Sequence, residues 1–255
     1  MTNEDYGPDI TRPSRQLIDS LRPIGAATAA SELSKLGIRD PHIKGLTSYK
    51  PGKTIVGPAL TLQFMPKRED VHPTGEYAGP KRQKHRHVLY HSQPGDVVVV
   101  DARGDMGSGV FGEMMLTYFF GQGGAGVVVD GCIRDFPHAR ELDLGLWIKG
   151  LTPNFHVQTN IFPHAVNVPI ACGGVYVEPG DIIIADDDGA VVCPVALAPE
   201  LARKAGEHHD WEEFTRMRLR QGGDLRKYYP LDDEARAEYE QWVKAGSPLD
   251  QTAGH

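Results

Sequence analysis

Three ionisable residues stand out against apolar surroundings. Arg134 and Asp135 lie side by side in "GVVVDGCIRDFP" (126–137), and Glu113 is the only charge between Val110 and Gly121. Arginine offers a planar fork matched to a carboxylate or an enolate oxygen. Aspartate offers one hard oxygen, and one or two carboxylates plus waters suit Mg2+, which keeps much of its hydration shell. A glutamate near a helix start can act through a water as a base, or it can simply complement the helix dipole. The pair at 134–135 also admits plainer roles, as a surface ion pair or as the N-cap of a helix starting at Phe136-Pro137. Together the three residues would permit stabilisation of negative charge beside a divalent cation.

The intervening sequence predicts how they meet. "GDVVVVDA" (95–102) reads as a strand, "RGDMGSG" (103–109) as a Gly-rich turn, "VFGEMMLTYFFGQGG" (110–124) as a helix and "AGVVVDG" (125–131) as a second strand. This is a βαβ unit, whose strands are parallel neighbours joined by a right-handed crossover. Ligands bind at the carboxyl edge of such strands, so Glu113, Arg134 and Asp135 are expected to converge there. The helix is apolar nearly all round, which predicts burial. Its N-terminus offers backbone N–H groups to an anion. The turn is neither GxGxxG nor a P-loop, so nucleotide binding has little support.

Elsewhere, "SRQLIDSL" and "GAATAASELSKLG" predict helices, the second closed by Gly37. "KTIVGPALTLQF" predicts a strand pair or one strand bent at Gly57-Pro58. Residues 66–88 are polar, basic and irregular and read as a long loop, which in compact domains is functional or disordered. "FPHARELD" predicts a short helix and "LGLWIKG" a third strand. Residues 165–194 read as all-β with Gly-Gly, Pro-Gly and Asp-Gly turns. A long amphipathic helix is expected over about 196–221, and one more in "LDDEARAEYEQWVKAG".

The 255 residues, 40% hydrophobic and 24% charged, suffice for a real core. A net charge of −7 argues against a general nucleic-acid binder. Cys132, Cys172 and Cys193 form no CxxC pair and no metal-ligand spacing, and they read as small buried hydrophobes in a reducing compartment. The first residues lack the basic and apolar regions of a signal peptide, and no apolar run is long enough to span a bilayer. The expectation is a cytoplasmic protein without a membrane partner.

The pieces "GDVVVVDA…GxxFGE…GAGVVVDGCIRD", with "LRPIGAATAASELSKLG", "GPALTL" and "PGDIIIADDDGAVVCP", closely resemble the RraA-like family. That family contains regulators of ribonuclease activity and class II 4-hydroxy-4-methyl-2-oxoglutarate/4-carboxy-4-hydroxy-2-oxoadipate aldolases. The resemblance runs from about Leu17 to about Gly222. It implies an α/β fold of the β/β/α swivelling-domain type, with the βαβ unit and C-terminal helices. The domain would occupy 1–222, with an N-terminal arm and an insertion at 66–88, followed by a helical tail over 223–255. It also implies a homotrimer or homohexamer with active sites between subunits.

Carried onto this chain, the resemblance makes Asp135 the protein ligand of Mg2+ or Mn2+. Arg134 would hold the 2-oxo acid and stabilise the enolate. Glu113 would orient a water on the metal that shuttles protons. The backbone amides of Met114 and Met115 would hold the substrate carboxylate. A carboxylate from the neighbouring subunit would match Glu212 or Glu213. The implied activity is retro-aldol cleavage of a small 4-hydroxy-2-oxo acid to pyruvate, with oxaloacetate decarboxylation through the same enolate. The segment 66–88 and the tail after 222 depart from the short core pattern, so sugar-acid-derived 2-oxo acids are equally admissible substrates. A sugar-acid lyase or dehydratase and a non-enzymatic ribonuclease regulator are the alternatives.

Three further groups invite chemistry. His85, His87 and His91 match no standard zinc spacing and read as a solvated loop. Lys149, at a strand end, is either a substrate-carboxylate contact, a Schiff-base lysine or a plain exposed lysine. "ADDDG" (185–189) resembles a metal site, but Asp-Gly between two apolar strands is first a hairpin signature.

Overall fold

The computed structural model describes residues 7–72, 83–155 and 161–247, and all side chains among these except those of 205–210. The chain divides into two compact units, Met1–Ala202 and Arg203–His255.

The first unit begins with an arm over residues 7–13. Arg12 Nη2 is 2.8 Å from Asp96 Oδ2, the Asn167 amide donates to the Pro8 carbonyl at 2.8 Å, and Ile10 is buried. Helices α1 (Arg15–Leu21) and α2 (Ala26–Lys35) follow, the first capped by the Ser14 hydroxyl. Then come β1 (His42–Ile43), β2 (Thr47–Ser48), β3 (Ile55–Pro66), α3 (Lys84–Tyr90), β4 (Val97–Gly109), α4 (Glu113–Gly121), β5 (Gly126–Ile133), α5 (Phe136–Ala139) and β6 (Gly145–Leu151). Strands β7 (Ile161–Val166), β8 (Ile170–Cys172), β9 (Val175–Val177), β10 (Ile182–Asp186) and β11 (Gly189–Cys193) complete it.

Nine strands form one sheet in the order β1-β11-β10-β3-β4-β5-β6-β2, with β7 paired to β3; β8 and β9 form a separate hairpin. The central four, β3 to β6, are parallel. Their valine and isoleucine runs are buried on both faces, as a covered parallel sheet requires. Val98, Val100, Val127, Val129 and Ile148 face one core; Val97, Val99, Val128 and Trp147 face the other. The predicted bent strand is one continuous β3. At Gly57 a Cβ would lie 2.0 Å from the Gly95 carbonyl oxygen, so only glycine permits that approach. The "ADDDG" segment closes the β10–β11 hairpin with Asp186 opposite Gly189, as turn chemistry predicts.

Two local expectations change. The Gly-rich stretch 103–109 is not a turn but a continuation of β4. Register shifts after Val100 and after Asp105 carry it along β5, with Arg103 and Gly104 at φ 59° and 69°. The two ends of the expected loop 66–88 belong to regular elements, β3 extending to Pro66 and α3 beginning at Lys84, and residues 73–82 lie outside the described residues. His85, His87 and His91 are buried rather than solvated, because α3 packs that side inward together with Val88 and Leu89.

The second unit holds most of α6 (Ala198–Arg220), with α7 (Leu225–Tyr228) and α8 (Asp233–Lys244). Phe214 is fully buried, 5.6–6.1 Å from the rings of Tyr228, Tyr239 and Trp242. The Thr215 hydroxyl donates to the Tyr228 carbonyl. The second half of α6 therefore belongs with α7 and α8, and the division between the two compact units falls at 202/203, inside that helix. Among the described residues no helix is long and apolar enough to cross a membrane.

Candidate active site

At the carboxyl edge of the parallel strands, the bulged end of β4 is tied to the end of β5. The Val110 N–H donates to the Cys132 carbonyl and the Arg134 N–H to the Phe111 carbonyl, both at 3.0 Å. These bonds set Gly112, the N-cap of α4, directly beside the Arg134-Asp135 pair. A Cβ on Gly112 would lie 2.6 Å from Asp135 Oδ2 and 3.0 Å from Arg134 Nε. Gly109 is equally confined, against the Asn154 carbonyl oxygen and the Arg134 stem.

Asp135 precedes α5, as the capping reading requires, but its side chain caps nothing. Its backbone is left-handed, with φ 57° and ψ 32°. A non-glycine residue held there stores strain, and such residues cluster at functional sites. The carboxylate turns instead toward Arg134, whose Nε lies 3.4 Å from Oδ2, and both side chains remain partly exposed. The single hard oxygen donor, set against a glycine with no side chain to crowd it, fits a largely hydrated Mg2+ or Mn2+ better than zinc, which prefers nitrogen and sulfur donors in a closed shell. Among the described residues no group of three or more His, Cys, Asp or Glu is placed to hold a metal.

Glu113 is the first residue of α4, and Thr117 one turn later donates its hydroxyl to Glu113 Oε1 at 2.8 Å. The Met115 N–H is already donated to the Gly112 carbonyl at 3.1 Å, and the first N–H groups of a helix have no intrahelical acceptor. The expectation that α4 is buried all round is corrected. Leu116 and Phe119 face the core, but Met114 is 76% exposed, and Tyr118 and Phe120 are exposed as well.

A cavity of about 440 Å3 opens beside Gly112 and the Arg134-Asp135 pair, and Glu113 is not among its lining residues. Gly109, Val110, Gly112, Met114, Met115, Arg134 and Asp135 line it from β4, α4 and the β5–α5 junction. Gln83, His85, Arg86 and Phe155 line the remainder. Sequence reasoning singles out His85, though as part of a solvated loop; Gln83 and Arg86 are signalled only by the long polar segment 66–88, and Phe155 by nothing in the sequence.

The structure does not bring Lys149 to this cavity. Lys149 continues the Trp147 face of β6 and is ion-paired with Asp130, which is buried. Asp101 lies in the same cluster. Burial pushes its carboxyl above the usual range, and the nearby Asp130 adds to the shift. Glu212 and Glu213 lie on α6 in the second unit, where Glu213 pairs with Arg216 at 2.5 Å.

The sequence model of a family described as RraA-like, Aldolase/RraA, matches residues 16–192. The chain belongs to the RraA-like family. Among its relatives is a Halalkalibacterium halodurans protein named as a candidate 4-hydroxy-4-methyl-2-oxoglutarate aldolase, 39% identical over 151 residues. That match covers 59% of this chain and 65% of the relative, so less than two thirds of the relative's length is spanned. Protein DlpA of Legionella pneumophila is 27% identical over 88% of this chain and 34% of its own length. The crystal structure of Streptomyces coelicolor RraAS2, described as an unusual member of the RNase ES inhibitor RraA protein family, aligns with a TM-score of 0.74 and 48% identity. It covers 82% of this chain and 99% of that one. The mixed α/β sheet described above is thus an RraA-type fold.

Proposed function

We propose that this RraA-like chain is a divalent-metal-dependent lyase. It would cleave a C–C bond in a small 4-hydroxy-2-oxo acid to release pyruvate, and decarboxylate oxaloacetate at the same site. The observation that carries the reading is Asp135, held in a left-handed backbone with its carboxylate free of capping duty and lodged between Gly112 and Arg134 at a cavity wall. The names of the relatives support the same chemistry.

Asp135 would hold Mg2+ or Mn2+, which when bound supplies Lewis-acid polarisation of the substrate's 2-oxo group. Arg134 pairs its planar guanidinium with the 2-oxo acid and stabilises the negative charge left when the C3–C4 bond breaks. Glu113, steadied by Thr117, positions the water that accepts the 4-hydroxyl proton. The electron pair of the broken bond becomes the pyruvate enolate and C4 becomes a carbonyl. The proton returned to C3 completes pyruvate. Decarboxylation of oxaloacetate uses the same charge stabilisation, with CO2 as the departing group. The working unit is a homo-oligomer, to which Glu212 or Glu213 of a neighbouring copy would add a carboxylate.

The test is pyruvate release from 4-hydroxy-4-methyl-2-oxoglutarate and from oxaloacetate, with Mg2+ or Mn2+ and after EDTA. Release that requires metal is the expected result; none from either compound with metal present refutes the reading. The likeness to RraAS2 favours a second reading, a non-enzymatic regulator that binds a ribonuclease. Inhibition of a ribonuclease E by this protein, with no pyruvate release, would establish it.

A further inference from the structure

The cavity has a second cationic wall that the proposed chemistry does not use. Helix α3 is fixed by its inward side, where His85, Val88 and Leu89 are buried, and by Lys84, which donates to the His164 carbonyl at 2.6 Å. Arg86, on the same helix, is exposed and lines the cavity. Among the described residues its guanidinium has no ion pair and no hydrogen-bond partner. An uncompensated guanidinium facing a small cavity is a ready carboxylate receptor, because its two parallel N–H groups match two oxygens. The same lining holds the apolar Val110, Met115 and Phe155 and the polar Gln83 and His85. Arg134 and Arg86 outnumber Asp135 in the lining, so a substrate with two negative ends balances the cavity better than one with a single end.

We infer that Arg86 is a specificity-determining residue that binds a second carboxylate, at the end of the substrate remote from its 2-oxo acid group. The site therefore favours short 2-oxo diacids over 2-oxo monoacids. This rests on the proposed reading of Arg134 and Asp135 as the 2-oxo acid end.

The test is calorimetric binding of two ligands that carry the same 2-oxo acid head, pyruvate and 2-oxoglutarate, with Mg2+ present, to wild type, Arg86→Ala, Arg86→Gln and Arg86→Lys. Loss of one charge-assisted contact is expected to weaken 2-oxoglutarate about 10- to 100-fold in the Ala and Gln variants. Pyruvate binding should stay within about twofold, and Lys should restore part of the loss. Because Arg86 is exposed, its substitution should leave the fold intact, and melting curves check this. Unchanged 2-oxoglutarate binding in Arg86→Ala, or equal loss of both ligands, overturns the inference while leaving the Arg134-Asp135 site in place. Failure of wild type to bind either ligand overturns that reading and this inference with it.

Discussion

Gly112→Ala isolates the geometry of the site from its chemistry. The backbone at Gly112, φ −106° and ψ 172°, is open to alanine, so the substitution adds no dihedral strain. The added Cβ would lie 2.6 Å from Asp135 Oδ2, and real Cβ contacts essentially never fall below 3.0 Å. Asp135 cannot retreat through its backbone, which is pinned in the left-handed region by the start of α5. Its carboxylate must therefore rotate, displacing the oxygen by about half an ångström, against a tolerance of about that size for a working constellation. A misplacement of about 1 Å can cost roughly 100-fold, so pyruvate release should fall about 10- to 100-fold. Stability should change little, because the displaced group is partly exposed and meets water. The melting temperature should move by no more than about 4 °C, the shift of a ~1 kcal/mol change in a domain of this size. Parallel assays of release rate and thermal melting decide the matter. Full activity in a folded Gly112→Ala protein would refute the claim that the orientation of Asp135 matters. Activity lost only in step with unfolding would refute it equally.

Other outcomes follow from the packing. Gly57→Ala, with its Cβ 2.0 Å from the Gly95 carbonyl oxygen, should cost about 3 kcal/mol or more in denaturant unfolding; a loss below about 1 kcal/mol would show that β3 moves away freely. Burial pushes the Cys193 thiol up to about 12 and raises Cys132 and Cys172 as well, so a thiol reagent near neutral pH should label none in the native protein and all three after unfolding. Asp101 holds its proton more tightly folded than unfolded, so its contribution to stability is fullest below the ordinary value of 3.8 and is lost as pH rises from there to the raised folded value. Melting curves across that window should show Asp101→Asn gaining on wild type as pH rises; parallel curves would contradict the assignment.

The sequence was most legible where periodicity and chemistry coincided. Valine runs on both sides of a helix-length segment predict the β4–α4–β5 unit, and topology then brings Glu113, Arg134 and Asp135 to one edge. Reading failed where a residue type served an unusual end. Glycines at 104, 107 and 109 suggest a turn, yet here they let β4 bulge and continue beside β5. Histidines 85 and 87 disguise α3, because the core-facing positions of that helix are filled by residues that composition assigns to solvent. With α3 unseen, the Arg86 wall of the cavity was unseen too. The three readings open for Lys149 turn on one rule of sheets: alternate side chains point to opposite faces. A lysine at a strand end has even chances of facing the site, and this one faces Asp130.

The measurement that bears most directly on the central claim compares wild type with Asp135→Asn, which keeps the shape that Gly112 accommodates but removes the charge. Mn2+ affinity by electron paramagnetic resonance and pyruvate release would be read on the same preparations. Both should fall together in the variant, affinity by at least about tenfold and release by about 100-fold or more. A variant that binds Mn2+ and releases pyruvate at wild-type levels would contradict that claim and move the site away from Asp135.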